Sequence, residues 1–433
     1  MKARLVIGAL VTLCVLLSVL SGCSRTGGGS ESSYSEDFSN VSDSSDIIEN
    51  NESNPDSSST DSSDSPNSLD YRDCSIKRFE KTIDLEGINL NDTMQTGNIF
   101  PMAVDNNYLY FSNNSFPLTI SSFNRNDFSK TEIMTYDIDI EYCDSNKFIY
   151  CGCFFRFPCY GDPYGDVYMK AFVGKVGEES KCILYKEVGT SIVASPAELN
   201  DTEMVFLCDS ERKDGLSEEL YKYRVGDEQA KIIYTLETNK RQPIDVTCYN
   251  GEIYIIYEIR SGESGLQGVS NRNGKQFCIK RLNSNGEEID NELFEITGAS
   301  DMYPFEITVT ENNYILQFAS QTSPKTVIIN RKSKKVAVAA DDDGFGGRFN
   351  DHIIDGRYII FYGRKTSESG PQICVFDDKN SELHVLSFKA LKDKYIANIV
   401  ADYNGDVLFV VQDDIRDETR SLVLFKDVVS MLR

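Results

Sequence analysis

No tryptophan occurs in the 433 residues, and histidine occurs only twice, as His352 and His384. With neither histidine near an evident serine or cysteine partner, a nucleophile–base–orienter arrangement cannot be assembled. A Gly-Lys-Ser/Thr phosphate loop, a Gly-x-Ser-x-Gly elbow and a His-Glu-x-x-His helix are all absent. Positive charge is scarce as well: 44 Lys and Arg stand against 68 Asp and Glu, for a net charge of −24. That balance argues against nucleic acid, which is bound mainly through cationic contacts to phosphate. It argues equally against electrostatic docking to anionic lipid. Carboxylate chemistry of the glycosidase kind stays open, because among 68 acids a pair is easily found. No catalytic residue, metal or cofactor is assigned. The chain reads as a non-enzymatic binding module, with a carbohydrate-active enzyme using carboxylates as the alternative.

Long apolar runs are missing save one. Leu5 to Leu20 carry no charge, after Lys2 and Arg4 and before Leu20-Ser21-Gly22-Cys23. At about 16 residues the run is shorter than the roughly 20 that span a bilayer, and a basic start, an apolar stretch and small residues at a cut site define a secretory signal. The final four residues resemble the bacterial lipobox. That resemblance implies removal of residues 1–22, diacylation of Cys23, and a location on the extracytoplasmic face of a membrane. Two acyl chains hold a protein stably where one does not.

Residues 23–72 read as the lipidated cysteine and a linker. Of residues 24–69, seventeen are Ser, ten are Asp or Glu, and Arg25 is the only base. Such a segment buries too little apolar surface to offset chain entropy and is expected to be disordered. As a flexible coil it would reach roughly 35–40 Å.

Residues 73–433 carry a repeat. A polar turn followed by a β-branched and aromatic run recurs at Tyr108–Phe111, Phe148–Cys151, Met204–Leu207, Ile253–Ile256, Tyr314–Leu316, Tyr358–Phe361 and Val407–Val410. The starts lie 40 to 61 residues apart, averaging near 50, the length of one four-stranded propeller blade. Turns such as Asn250-Gly251, Asp355-Gly356 and Asn404-Gly405 suit tight hairpins, which need positive φ. The fold expected is all-β: a seven-bladed β-propeller of four-stranded antiparallel blades. Ile76 to Leu85 would supply the missing fourth strand of the last blade and close the ring, removing an exposed edge; Val428 to Met431 is the rival. The repeats resemble degenerate extracellular β-propellers of bacterial lipoproteins, without Trp-Asp, Asp-box or quinoprotein motifs.

In such a ring the short first-to-second turns open on one face and the longer second-to-third loops on the other. The binding site is expected on the longer-loop face. The aromatic stretch Phe154 to Tyr164 stands out there, because aromatics and Arg concentrate at binding hot spots. Phe155, Arg156, Phe157, Tyr160 and Tyr164 are the candidates, joined by Asp342 and Arg348 from the acidic connection Asp341 to Arg348. The expected partner is a protein, peptide or glycan. Ten cysteines follow Cys23, most inside apolar runs where free Cys packs as a small hydrophobe; Cys153 and Cys159 could close a loop.

Overall fold

The computed structural model describes residues 67–70, 76–83, 88–89 and most of 99–432. Its longest breaks are 188–195, 260–274, 339–352, 363–369 and 414–420, with others of two to five residues. Contacts divide the chain into Met1–Ser62 and Ser63–Arg433, and the description concerns the second unit. Among the described residues no helix is long and apolar enough to cross a membrane.

Strands follow one another in seven sheets among the described residues. Sheet 1 runs from Ile99 to Tyr136, sheet 2 from Glu141 to Glu187, sheet 3 from Ala197 to Glu237 and sheet 4 from Arg241 to Thr297. Sheet 5 runs from Tyr303 to Val338, sheet 6 from Tyr358 to Phe388, and sheet 7 from Tyr395 to Phe425. Sheets 1, 3 and 5 are four-stranded antiparallel meanders in chain order, and sheet 4 is such a meander with a fifth strand added outside it. Sheet 2 is irregular, with six short strands and Cys159–Gly161 between Glu141–Cys143 and Val167–Gly174.

The repeated runs are uninterrupted because both faces of each sheet are buried. Side chains alternate along a strand, so a strand packed on two sides needs apolar residues at every position. In the second strand of sheet 4, Ile253, Ile255 and Tyr257 pack toward sheet 3, and Tyr254 and Ile256 pack toward sheet 5. In sheet 7, Val407, Phe409 and Val411 pack toward sheet 6, while Leu408 and Val410 meet Leu109 and Phe111 of sheet 1. The core is thus a series of layers that joins sheets 2 to 7 in order, and the last sheet meets the first. Hairpin turns follow the expected chemistry: Asn250 and Gly251 have φ of 52° and 75°, and Asp355 and Gly356 have 53° and 63°.

The N-terminal segment departs from expectation. Asn67–Asp70 (β1), inside the stretch expected to be linker, pairs parallel with the outer strand of sheet 4. Lys77–Ile83 (β2) pairs parallel with the outer strand of sheet 6, and does not complete sheet 7. The fourth strand of sheet 7 is Ile88–Asn89 (β3), antiparallel to Ser421–Phe425. An N-terminal strand does enter the last sheet, but a few residues later than expected. Val428 and Val429 are buried in a turn leading to the short 3-10 helix Ser430–Leu432, so they form no strand.

Candidate functional site

Two hairpin turns from neighbouring sheets frame an open groove of about 700 Å³. From sheet 4 come Tyr249, Asn250 and Glu252 around the first hairpin, with Arg281 and Glu292 from the outer one. From sheet 5 come Glu311 and Tyr314 at the first hairpin, and Arg331 and Lys332 after the third strand. All of these lie on the face of first-to-second and third-to-fourth turns, opposite to the face the sequence favoured. The longer second-to-third loops 260–274, 363–369 and 414–420 lie outside the described residues.

Arg331 is the centre of the groove. Its guanidinium lies 5.7, 5.3 and 5.4 Å from the ring centroids of Tyr249, Tyr254 and Tyr314. It donates to the Thr310 carbonyl at 2.6 Å and to the Tyr254 hydroxyl at 2.7 Å. The Tyr254 hydroxyl donates in turn to Glu252 Oε2 at 2.8 Å, and Glu252 is held from the other side by Arg281. The Tyr314 hydroxyl donates to Glu292 at 2.7 Å, with Lys334 paired to the same carboxylate. Burial raises the pKa of Tyr254 and of Tyr314 well above the ordinary phenol value, and the hydrogen bonds to Glu252 and Glu292 push the same way. Burial also raises Tyr249, helped by the negative charge of Glu311 and Asp378. The three hydroxyls therefore stay protonated at physiological pH. A planar cation stacked among aromatic rings keeps its geometry while its remaining N–H donors stay available.

A second network locks the rim. Asp378, buried in the turn after the strand Gln372–Asp377 of sheet 6, accepts from Thr310 Oγ1. It also accepts from the side-chain amides of Asn312 and Asn313, both at 2.8 Å. One buried acid thus fixes the Glu311-Asn312 turn that carries the groove wall.

The sequence candidates lie elsewhere. Phe155 is fully buried, edge-on to Tyr223 at 6.0 Å, in the layer between sheets 2 and 3. It has no surface left for a ligand. Arg156 ends the strand Cys153–Arg156, and Tyr160 sits in Cys159–Gly161. Cys23, Phe157, Tyr164, Asp342 and Arg348 lie outside the described residues. Cys153 is a buried free thiol, its pKa pushed up to about 11 by burial, and the backbone register sets Cys159 opposite Cys143 instead. Sequence reading took Asn250-Gly251 and Glu311-Asn312 as plain turns and missed Arg331. The available signal was cationic residues clustered in the turns of an acidic chain.

Asp377, Glu382 and His384 bring three donor atoms within 4.8 Å of one another. The carboxylates are already committed: Asp377 accepts from Arg357 Nε at 2.7 Å and from Asn380, and Glu382 pairs with Lys77. A metal ion there would have to displace two cations.

No family model and no curated protein matches the chain. Solved structures do. The propeller domain of the Trilobed protease from Pyrococcus furiosus superimposes on 76% of this chain and 95% of its own, with 13% identity and a TM-score of 0.50. The fold is that of a β-propeller. An acylaminoacyl peptidase of Pyrococcus horikoshii matches 65% of the chain and 44% of its own length, at 13% identity and a TM-score of 0.43; the chain spans under half of that peptidase. An oligogalacturonate lyase from Vibrio parahaemolyticus matches 79% and 97%, at 13% identity and a TM-score of 0.42. Likeness at this identity fixes the architecture alone. It does correct one expectation: a propeller of this kind belongs to a protein named as a protease, so the propeller gives no ground for calling the chain non-enzymatic.

Proposed function

We propose that the chain is an extracytoplasmic lipoprotein, anchored through Cys23, whose seven sheets form a closed propeller that recognises an envelope peptide, protein or glycan in the groove between sheets 4 and 5. The ring is supported by the layer joining sheets 7 and 1 and by the entry of β3 into sheet 7. The anchor is supported by the signal and lipobox residues. One observation carries the ligand reading: three cations, Arg281, Arg331 and Lys332, converge on one groove of a chain with net charge −24. Glu252, Glu292 and Glu311 face them, so the groove balances charge locally and suits a ligand carrying both carboxylate and hydroxyl or amino groups.

The test uses residues 24–433 as a soluble protein, mixed separately with envelope glycan strands, stem peptides and membrane proteins. Capture of one fraction by the native protein, and a tenfold or greater loss with Arg331→Ala and with Lys332→Glu, is the expected result. Equal capture by both variants would sink the groove assignment. Each fraction is also analysed for cleavage products, which separates recognition from turnover. For the anchor, incorporation of a labelled fatty acid should vanish in Cys23→Ala, with the protein released from the membrane.

A further inference from the structure

The outer strand of sheet 6 (Glu382–Phe388) carries a guest. β2 lies parallel along its whole length, from Lys77 opposite Glu382 to Ile83 opposite Phe388. The host strand belongs to the core, with Leu383, Val385, Leu386 and Phe388 buried. The guest does not: Lys77, Phe79, Glu80, Lys81 and Thr82 are exposed, and only Ile83 is buried. Beyond the ladder, four contacts select it, all from alternate positions. Lys77 pairs with Glu382 at 2.5 Å. Phe79 stacks on His384 with centroids 5.1 Å apart. Lys81 donates to the Met431 carbonyl, and Ile83 enters the layer between sheets 6 and 7. The host edge therefore reads basic, aromatic, basic and aliphatic at every second residue of an extended segment.

We propose that this edge is a strand-exchange site, at which residues 77–83 of a second copy of this chain replace β2, so that two copies hold each other by traded arms. A second copy supplies the reading pattern residue for residue. The charge match of Lys77 to Glu382 and the stack on His384 are the same in cis and in trans, so the exchange costs no contact and concentration decides it. Among the described residues the arm precedes every core strand, and on its N-terminal side the four-residue β1 ladder holds it. Ordering seven residues of which one is buried returns little against the entropy of fixing them. Release is therefore the cheapest opening in this part of the molecule. A freed strand edge is a template for another strand.

The ion pair supplies a test on the unaltered protein. Light and isotopically heavy full chains are mixed at high concentration, incubated, and treated with a carbodiimide, which joins the Lys77 amine to the Glu382 carboxylate as an amide with loss of water to the reagent. The expected product, found in the dimer fraction by mass spectrometry, is a Lys77–Glu382 pair with one heavy and one light partner. Pairs that are only all-heavy or all-light would overturn the proposal, as would absence of the pair. Deleting Leu85 and Glu86, which shortens the connection between β2 and β3, should move the protein from monomer to dimer by light scattering. A variant that remains monomeric with the Lys77–Glu382 link intact would overturn it as well.

Discussion

At the scale of single residues, stability hangs on a few atoms in the turns. Gly286 has φ of 87°, and a Cβ there would meet the Ile233 carbonyl oxygen at 2.1 Å. Gly286→Ala should cost about 2–4 kcal/mol, combining left-handed strain with overpacking. Gly226 has a similar φ of 99° but open space, so Gly226→Ala should cost about 1 kcal/mol, with both variants read by urea titration. Asp378→Ala leaves the Asn312 and Asn313 amides without their shared acceptor, and a loss of about 2–4 kcal/mol is expected. Burial alone would raise the Asp377 carboxyl, but hydrogen bonds from Arg357 and from the Asn380 and Lys379 backbone outweigh it and hold it below the ordinary range. A lowered folded value stabilises above the unfolded pKa of about 3.9 and is lost as pH falls further. Acid unfolding of Arg357→Ala, followed by circular dichroism, should therefore start at higher pH than in the native chain.

At the scale of elements, the strands that sequence reveals best are those buried on both faces. Tyr254–Tyr257 and Val407–Val410 are continuous apolar runs because each touches two layers, and the Asn-Gly turns before them are legible from their residue types. β1 escapes such reading, and for β2 the strand is legible but its partner is not. Both add to the outside of a finished sheet, and the exposed residues of Lys77–Ile83 show no apolar alternation. The groove escapes it too, because its walls come from turns some 80 residues apart, Tyr249 and Arg331 among them, and each turn alone looks like ordinary polar punctuation. Phe155 shows the converse error: an aromatic in a crowded loop-like stretch is packing in this fold. In hydrogen exchange, amides of β2 should exchange well before those of Glu382–Phe388, although both share one ladder; equal protection would contradict the strap-like character of the arm.

At the scale of the whole molecule, the junction of sheets 7 and 1 joins the last described sheet to the first. Its apolar layer is reinforced by Arg125, which pairs with Asp406 in a site where both side chains are about one-tenth exposed. Asp406 also accepts from the Asp427 backbone at 2.7 Å. Breaking a pair this enclosed typically costs about 3–5 kcal/mol, because one charge stays buried alone. Arg125→Ala or Asp406→Ala should lower the denaturation midpoint accordingly, and the Arg125→Met/Asp406→Leu double variant should recover most of it. Recovery would assign the junction to packing, and failure to recover would assign it to the charge pair.

The path of β1, β2 and β3 along sheets 4, 6 and 7 has a mechanical meaning. A load applied at the N-terminus reaches these short edge strands before any strand of a buried layer. Peeled away, residues 67–89 would pay out up to roughly 75 Å of chain at about 3.3 Å per residue. Under such a load the arm would act as a fuse, yielding first and leaving the propeller and its groove unstrained.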